Sequence, residues 1–264
     1  MTAAMTKVEN ITDLTGRVAV VIGGTSGLGR TIAVGLARSG AHVVPTGRRE
    51  ELLEEVCAEV EAGGRETLRQ TVDVSRRESI DALRDAVVKR FSGVDILINA
   101  AGRTARRATS EVDEAEWAAI MDTNLTGMLR ACQSFYEPLK QSGRGRVVNI
   151  ASLASFVAFH EVAAYGASKA GVLALTRSLG GEWARDHINV NAIVPGVFPT
   201  ELNAKLLDGT ERGHELLQRT PMRRFGRAKE LIGAAVFLAS DAASFITGQT
   251  IAVDGGFLAS GVNS

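Results

Sequence analysis

The stretch Gly23-Gly24-Thr25-Ser26-Gly27-Leu28-Gly29 decides the fold. It follows a short apolar run, Val18 to Ile22, and leads into a helical run, Arg30 to Ser39, which Gly40 closes. A strand, a glycine-rich turn and a helix in this order form a unit that binds phosphates, because the unpaired N–H groups and the dipole of a helix N-terminus favour negative charge. We expect Gly23 to permit a tight turn, Gly27 to let the backbone approach a pyrophosphate, and Gly29 to let helix and strand pack closely. The alternative, a plain tight turn, does not explain this context.

Strand-like and helix-like patterns alternate along the rest of the chain. Helical spacing of apolar residues occupies Glu50 to Ala62 and Ser79 to Phe91. The strands predicted after the first are His42 to Thr46, Thr67 to Val72, Asp95 to Asn99, Arg146 to Ala151, Ile188 to Val194 and Gln249 to Val253. This alternation predicts one α/β domain over residues 1–264, a Rossmann-type doubly wound parallel sheet of about seven strands with helices on both faces.

The longest segment without a predicted strand runs from about residue 196 to residue 228. We interpret it as a substrate lid, because long loops in compact domains are often functional. The alternative is a solvated helix-loop-helix insertion with no role in binding.

Composition limits the kinds of partner. The 264 residues include 30 Lys plus Arg and 30 Asp plus Glu, so no net field favours nucleic acid or an anionic membrane. No basic and apolar leader is visible, and no run reaches the roughly 18 apolar residues of a membrane span. The two cysteines, Cys57 and Cys132, lack metal-ligand spacing, and His160-Glu161 and His214-Glu215 lack a second zinc-binding histidine. We expect a cytoplasmic protein without a metal, a nucleic acid partner or a membrane partner.

The pair Tyr165 and Lys169 carries the strongest chemical signal. Their spacing of four residues at the start of a helical stretch puts both side chains on one face. A lysine ammonium near a phenol lowers its pKa, which allows the tyrosine to give or take a proton near neutral pH. Ser152 ends a predicted strand thirteen residues earlier, where its hydroxyl can stabilise charge on a reacting carbonyl oxygen. Each residue alone would more often be structural, but together they predict a catalytic site.

Cofactor choice is expected at the end of the second predicted strand. A carboxylate there would bind the ribose 2′-hydroxyl of NAD and repel a 2′-phosphate. This chain has Gly47 and Arg48 instead, and the guanidinium of Arg48 suits a phosphate. NADP(H) is therefore the favoured cofactor and NAD(H) the alternative.

The chain resembles the short-chain dehydrogenase/reductases over nearly its whole length. The motifs that carry the resemblance appear in order, and they are the glycine turn, Asp73, Asn99-Ala100-Ala101-Gly102, Asn124, Ser152, Tyr165 with Lys169, and Pro195-Gly196-Val197 with Thr200. The resemblance implies that Tyr165 is the general acid/base, that Ser152 holds the substrate oxygen, and that Lys169 also binds the nicotinamide ribose.

The same resemblance assigns further roles. Asn124 would hold a water in a proton relay, Asp73 and the following Val74 would contact the adenine, Asn99 the adenosine ribose region, and Thr200 the nicotinamide amide. The last predicted strand is similar to one that builds a homotetramer in many members. Two residues depart from the pattern, Ile22 before the first glycine and Ala100 in place of a second asparagine. Both departures concern cofactor affinity rather than a catalytic group.

Three functions remain open from the sequence. The stretch from Pro195 to Leu258 resembles gluconate 5-dehydrogenases, whose carboxylate substrate would need an arginine or lysine at the pocket. Arg103, Arg106 and Arg107 could attract an acidic substrate or an acyl carrier, and the favoured alternative is that they form a solvated charged face. A 3-oxoacyl carrier-protein reductase would instead need an apolar groove, for example under Leu202, Leu206 and Leu207. The third alternative, a non-catalytic NADP-binding module, would not need the serine, tyrosine and lysine.

Overall fold

A computed structural model describes residues 10–200 and 207–262. Its centre is a sheet of six parallel strands in the order β2-β1-β3-β4-β5-β6. The first five are buried almost throughout, as expected for apolar strands covered by helices on both faces. The strands are β1 (Val18–Ile22), β2 (His42–Thr46), β3 (Ile96–Asn99), β4 (Gly145–Ile150), β5 (Ile188–Pro195) and β6 (Thr250–Val253).

Helices cover both faces of the sheet. They are α1 (Gly27–Arg38), α2 (Glu50–Ala62), α3 (Arg77–Phe91), α4 (Glu114–Met121), α5 (Gly127–Gln141), α6 (Ala163–Trp183), α7 (Glu211–Arg219) and α8 (Ile232–Ala239). Alternate residues of each strand face opposite cores, because successive side chains of a strand point to opposite sides. Val20 lies in one core with residues of α3, α5 and α6. Val21 lies in the other core with residues of α1 and α8.

The prediction of a seventh strand over Thr67 to Val72 is wrong. This segment runs beside β2, but only two backbone hydrogen bonds tie it there, from Val43 to Glu66 (3.1 Å) and from Val72 to Gly47 (2.9 Å). Between them a side chain intervenes, because the Thr46 hydroxyl donates to the carbonyl oxygen of Gln70 (2.8 Å). The segment is therefore extended but does not form a ladder.

The strand order creates a crevice above β1 and β3. The chain leaves β1 in one direction to form β2 and then returns to place β3 on the other side of β1. Ligands of doubly wound sheets bind at the carboxyl ends of the strands where the order reverses in this way. Ile22 and Asn99, the last residues of β1 and β3, pair side by side at this edge.

The expected lid contains α7 in its described part. The hydroxyl of Thr210 caps this helix by accepting from the amide of Gly213 (3.0 Å). Residues 201–206, including Leu202 and Leu206, lie outside the described residues, so the lid itself stays a prediction. In the part of the chain that the structure describes, no helix is long and apolar enough to cross a membrane.

Two adjacent glycines of α6 test how tightly this helix packs. A methyl group on Gly180 would lie 2.5 Å from the backbone nitrogen of Gly248, whereas one on Gly181 would meet nothing within 4 Å. We expect Gly180→Ala to lower the free energy of unfolding by about 2 to 3 kcal/mol through overpacking. Gly181→Ala should raise it by about 0.5 to 1 kcal/mol, because alanine is the better helix former. Urea denaturation of the two variants checks this, and equal effects would contradict the packing.

Candidate active site

The glycine turn is packed closely against neighbouring backbone at Gly23 and Gly29 and is open at Gly27. The amides of Gly23 and Gly24 both donate to the carbonyl oxygen of Thr46 (2.9 Å each). A methyl group on Gly23 would lie 2.5 Å from the nitrogen of Ala101, and one on Gly29 would lie 2.1 Å from the carbonyl oxygen of Gly23. At Gly27, whose φ is +53°, the nearest atom would be Thr200 Cγ2 at 3.9 Å. The exposed Gly27 therefore leaves a cradle into which a ligand fits.

The N-terminus of α1 faces this cradle with its amides uncapped. The helix begins at Gly27, the side chain of Ser26 forms no capping hydrogen bond, and the first turn carries no acidic residue. The free N–H groups and the helix dipole suit a pyrophosphate. Leu28 packs against the core on the α1 side of the sheet and anchors the turn.

Gly47 is needed for a reason that the sequence does not reveal. A methyl group at this position would lie 2.4 Å from Oγ1 of Thr25, whose side chain is buried beneath the turn. The glycine turn and the end of β2 are thus fitted to each other. A side chain at residue 47, including one with a carboxylate, would require the Thr25 side chain to move.

Arg48 and Asp73 lie at the same corner of the crevice. Arg48 is exposed, and none of the ion pairs among residues 10–200 and 207–262 involves it. Hydrogen bonds from the hydroxyl (2.7 Å) and the amide (3.0 Å) of Ser75 hold the pKa of Asp73 below its usual value, with smaller help from Arg48. The next residue, Val74, is buried and would touch a methyl group on Gly127.

The turn Asn99 to Gly102 closes over the glycine turn. The amide of Ala100 donates to the carbonyl oxygen of Ile22 (2.8 Å). The side chain of Asn99 is buried and turns into the core, where its amide nitrogen donates to Asn149 Oδ1 (2.9 Å). A contact from Asn99 to an adenosine would therefore have to come from its backbone. Gly102 is open above, and a methyl group there would lie 3.6 Å from Nζ of Lys169.

Asn124 lies in a π-helical segment, Asp122–Thr126, that joins α4 to α5. Such single turns are frequent at functional sites. Its side-chain oxygen accepts from the amide of Arg103 (2.8 Å), and its nitrogen donates to the Arg103 carbonyl oxygen (2.9 Å) and to Ser168 Oγ (3.0 Å). The side chain thus fastens the Arg103 loop to α6, which leaves a water-holding role to its backbone.

Ser152, Tyr165 and Lys169 meet at the carboxyl edge of the sheet. Ser152 follows β4, and its Oγ accepts from the amide of Ala154 (3.2 Å). Lys169 is 5% exposed, its Nζ donates to the carbonyl oxygen of Ile150 (2.7 Å), and it lies 5.8 Å from the centre of the Tyr165 ring. The structure brings all three residues to one site between the ends of β4 and α6.

Burial is the main cause of the pKa shifts of Tyr165 and Lys169. Burial raises the pKa of Tyr165 above its ordinary value, and a hydrogen bond with the Ser152 hydroxyl offsets only part of this rise. The lowering of this pKa by Lys169 that the sequence suggests is not among its causes in the structure. Burial lowers the pKa of Lys169 to about 8. A phenol that keeps its proton near neutral pH can donate it to a developing alkoxide.

The segment after β5 closes the far side of the crevice. Pro195 is the last residue of β5, and the amide of Gly196 donates to the carbonyl oxygen of Val253 (2.9 Å). Val197 is tied by the amide of Gly226 (2.9 Å), while Thr200 faces Gly27. Residues from both halves of the sheet thus border one crevice.

Comparisons with known proteins agree with this arrangement. A family model described as enoyl-(acyl carrier protein) reductase matches residues 22–258. The 2-dehydro-3-deoxy-D-gluconate 5-dehydrogenase of Escherichia coli is 40% identical over 93% of this chain and 97% of its own length.

Two solved structures are similar over the same range. One is a putative short-chain alcohol dehydrogenase from Sinorhizobium meliloti, with 42% identity, a TM-score of 0.91, and coverage of 95% of this chain and 99% of its own. The other is a putative NAD(P)-dependent gluconate 5-dehydrogenase from Beutenbergia cavernae with bound NADP, with 41% identity, a TM-score of 0.90, and coverage of 95% and 100%. The chain therefore belongs to the short-chain dehydrogenase/reductase family of NAD(P)-dependent oxidoreductases.

Proposed function

We propose that this chain is an NADP(H)-dependent dehydrogenase that interconverts a secondary hydroxyl and a ketone on a sugar acid. The observation that carries the proposal is the meeting of Ser152, Tyr165 and Lys169 beside the open cradle at Gly27. A proton donor, an oxygen-binding hydroxyl and a dinucleotide site are the parts that carbonyl reduction requires.

The residues of the site divide the chemistry among them. When bound, the reduced nicotinamide supplies a hydride to the carbonyl carbon. The Ser152 hydroxyl donates a hydrogen bond to the carbonyl oxygen and stabilises the charge that develops there. Tyr165 donates its phenolic proton to that oxygen, and the Lys169 ammonium stabilises the resulting phenolate. Alcohol oxidation runs through the same groups in reverse.

NADP(H) is favoured by the surroundings of Arg48. The guanidinium is exposed at the end of β2 without an ion-pair partner among the described residues, and Gly47 carries no carboxylate beside it. Asp73 is held by Ser75 and does not form an ion pair with Arg48. Arg48 therefore offers its donors to a 2′-phosphate.

A carboxylate substrate is supported by the state of three arginines above the site. Arg106 pairs with Glu161 (2.6 Å) and Arg107 pairs with Glu116 (3.0 Å), so neither charge is free. Arg103 is exposed and forms no ion pair with any described residue, while Asn124 fixes its backbone next to α6. Arg103 is the cation that we assign to the substrate carboxylate.

A fatty acyl substrate has less support. Leu207, which was expected to line an apolar groove, is buried in the core, and Leu202 and Leu206 lie outside the described residues. The names of several relatives, including gluconate 5-dehydrogenase from Gluconobacter oxydans at 37% identity, point to sugar acids.

We further propose a cytoplasmic homotetramer. Both cysteines are buried free thiols, which suits a reducing compartment. Phe245 is fully exposed in the segment that leads to the partly exposed edge strand β6, and contact with another copy would cover both.

Replacement of the proton donor tests the proposed chemistry. We expect the purified protein to oxidise NADPH with keto sugar acids in a panel that also contains acetoacetyl thioesters and cyclic ketones. Tyr165→Phe should reduce kcat by a factor of about 10² to 10⁴, because the general acid is lost. NADPH binding, measured by fluorescence, should remain. Normal turnover by this variant, or no turnover by the unaltered protein with the whole panel, would contradict the proposal.

Cofactor preference depends on Arg48. We expect Arg48→Ala to raise the Kd for NADPH by about tenfold or more, since a charge-assisted hydrogen bond to phosphate is lost. The Kd for NADH should change little, because its ribose carries no phosphate. Isothermal titration with both cofactors measures this, with Arg185→Ala at an exposed and distant position as the control. Equal losses for the two cofactors would show that Arg48 does not select the phosphate.

Substrate class depends on Arg103. We expect Arg103→Gln to raise KM for keto sugar acids by about tenfold or more, with little change for uncharged ketones. Steady-state kinetics with one substrate of each kind checks this, and Arg185→Gln is the matched control. A similar rise for charged and uncharged substrates would remove Arg103 from carboxylate recognition.

A further inference from the structure

A chain of buried polar side chains runs from the core of α6 through the sheet to the candidate active site. Asn149 on β4 donates from Nδ2 to Thr176 Oγ1 on α6 (3.0 Å) and accepts at Oδ1 from Asn99 on β3 (2.9 Å). Asn149 and Thr176 are completely buried, and Asn99 is 6% exposed. The presence of three buried polar side chains needs an explanation, because burying a polar group costs free energy unless the group is hydrogen-bonded.

The donor and acceptor roles in this series of hydrogen bonds are fixed by Thr176 on α6. The Thr176 hydroxyl donates to the carbonyl oxygen of Val172 (2.8 Å), so toward Asn149 it can only accept. Asn149 must therefore present its nitrogen to Thr176 and its oxygen to Asn99. Asn99 in turn must present its nitrogen to Asn149.

The orientation of Asn99 follows from the same logic. Its nitrogen uses both hydrogens, one on Asn149 and one on the Cys132 sulfur (3.4 Å). Its oxygen is left buried and without a hydrogen-bond partner in the described chain. Reversing this amide would place two carbonyl oxygens against each other at Asn149.

Of the residues that line the cavity beside Asn99, Lys169 is the charged one, and Thr123 is another that carries a donor. Asn99 and Lys169 line the same small cavity, together with Asn124, and the cavity has room for roughly one water molecule. The Lys169 ammonium has three N–H donors, of which the carbonyl oxygen of Ile150 takes one. No carboxylate lines this cavity, and the titratable group that lies against the lysine is Tyr165.

We propose that Thr176 and Asn149 are positioning residues that set the Asn99 amide so that its oxygen faces the Lys169 ammonium. The inference rests on the proposed function, in which Lys169 must stay charged beside Tyr165. Thr176 on α6 does not bind Asn99 directly. It acts through Asn149 on β4, which in turn binds Asn99 on the neighbouring strand β3. The carbonyl dipole of Asn99 favours the charged form of a lysine that burial disfavours.

The test compares Thr176→Val with Thr176→Ser in the cofactor-free protein. Valine removes the acceptor for Asn149 with little change in shape, whereas serine keeps the hydroxyl. The pKa of Lys169 is read from ¹³Cε-lysine NMR, in which Lys169→Met assigns the signal. We expect a lower pKa of Lys169 in Thr176→Val than in the unaltered protein, because the freed amides can reverse and present N–H groups to the ammonium. Thr176→Ser should keep the original value.

Kinetics gives a second reading. We expect Thr176→Val to lower kcat about tenfold, with KM for the ketone nearly unchanged. The Thr176→Ser variant, which keeps the hydroxyl, should have the kcat of the unaltered protein. If Thr176→Val does not fold, Thr176→Ala supplies the same comparison. An unchanged pKa of Lys169 in the valine or alanine variant would overturn the inference. Because the NMR titration needs neither cofactor nor substrate, it remains decisive even if the assignment of the sugar acid fails.

Discussion

The candidate active site holds a lysine ammonium inside the protein. Burial lowers the pKa of Lys169 from its ordinary value of 10.5 to about 8, a cost of about 3 kcal/mol at neutral pH. The Ile150 carbonyl oxygen at 2.7 Å offsets part of this cost. The ammonium keeps its place while α6 packs against β4 and β5, so the packing of one helix supports the proposed chemistry.

Several features of α6 serve this packing. Gly180 lets the backbone at Gly248 approach, and Gly171 accommodates Leu125, since a methyl group there would lie 2.8 Å from the leucine side chain. Ser168 and Thr176 bind Asn124 and Asn149 from the same helix. Hydrogen bonds at these two positions along α6 resist sliding and rotation of the helix more specifically than apolar contacts alone.

The parts that local sequence determines were predictable. β1 and β2 have the predicted bounds, because β-branched runs ended by glycine leave few alternatives. The proximity of Tyr165 and Lys169 was predictable because a spacing of four residues places both side chains on one helix face. What the sequence does not reveal has a common cause in contacts between distant segments. Thr67 to Val72 has the composition of a strand, yet the Thr46 hydroxyl takes a carbonyl that a ladder would use. Asn149 and Cys132 turn the side chain of Asn99 inward, so the cofactor contact predicted for Asn99 stays a prediction for its backbone. The sequence gives no signal for Asn149 or Thr176 beyond being polar within apolar segments.

The fit between Thr25 and Gly47 shows how such distant contacts can determine specificity. The sequence alone explains Gly47 by the advantage of omitting a carboxylate near a 2′-phosphate. In the structure, Thr25 Oγ1 would lie 2.4 Å from a Cβ at that position, so a side chain there would require the Thr25 side chain to move. The packing of the glycine turn on β2 therefore favours a residue without a carboxylate at position 47, and the role proposed for Arg48 would add attraction for a 2′-phosphate there.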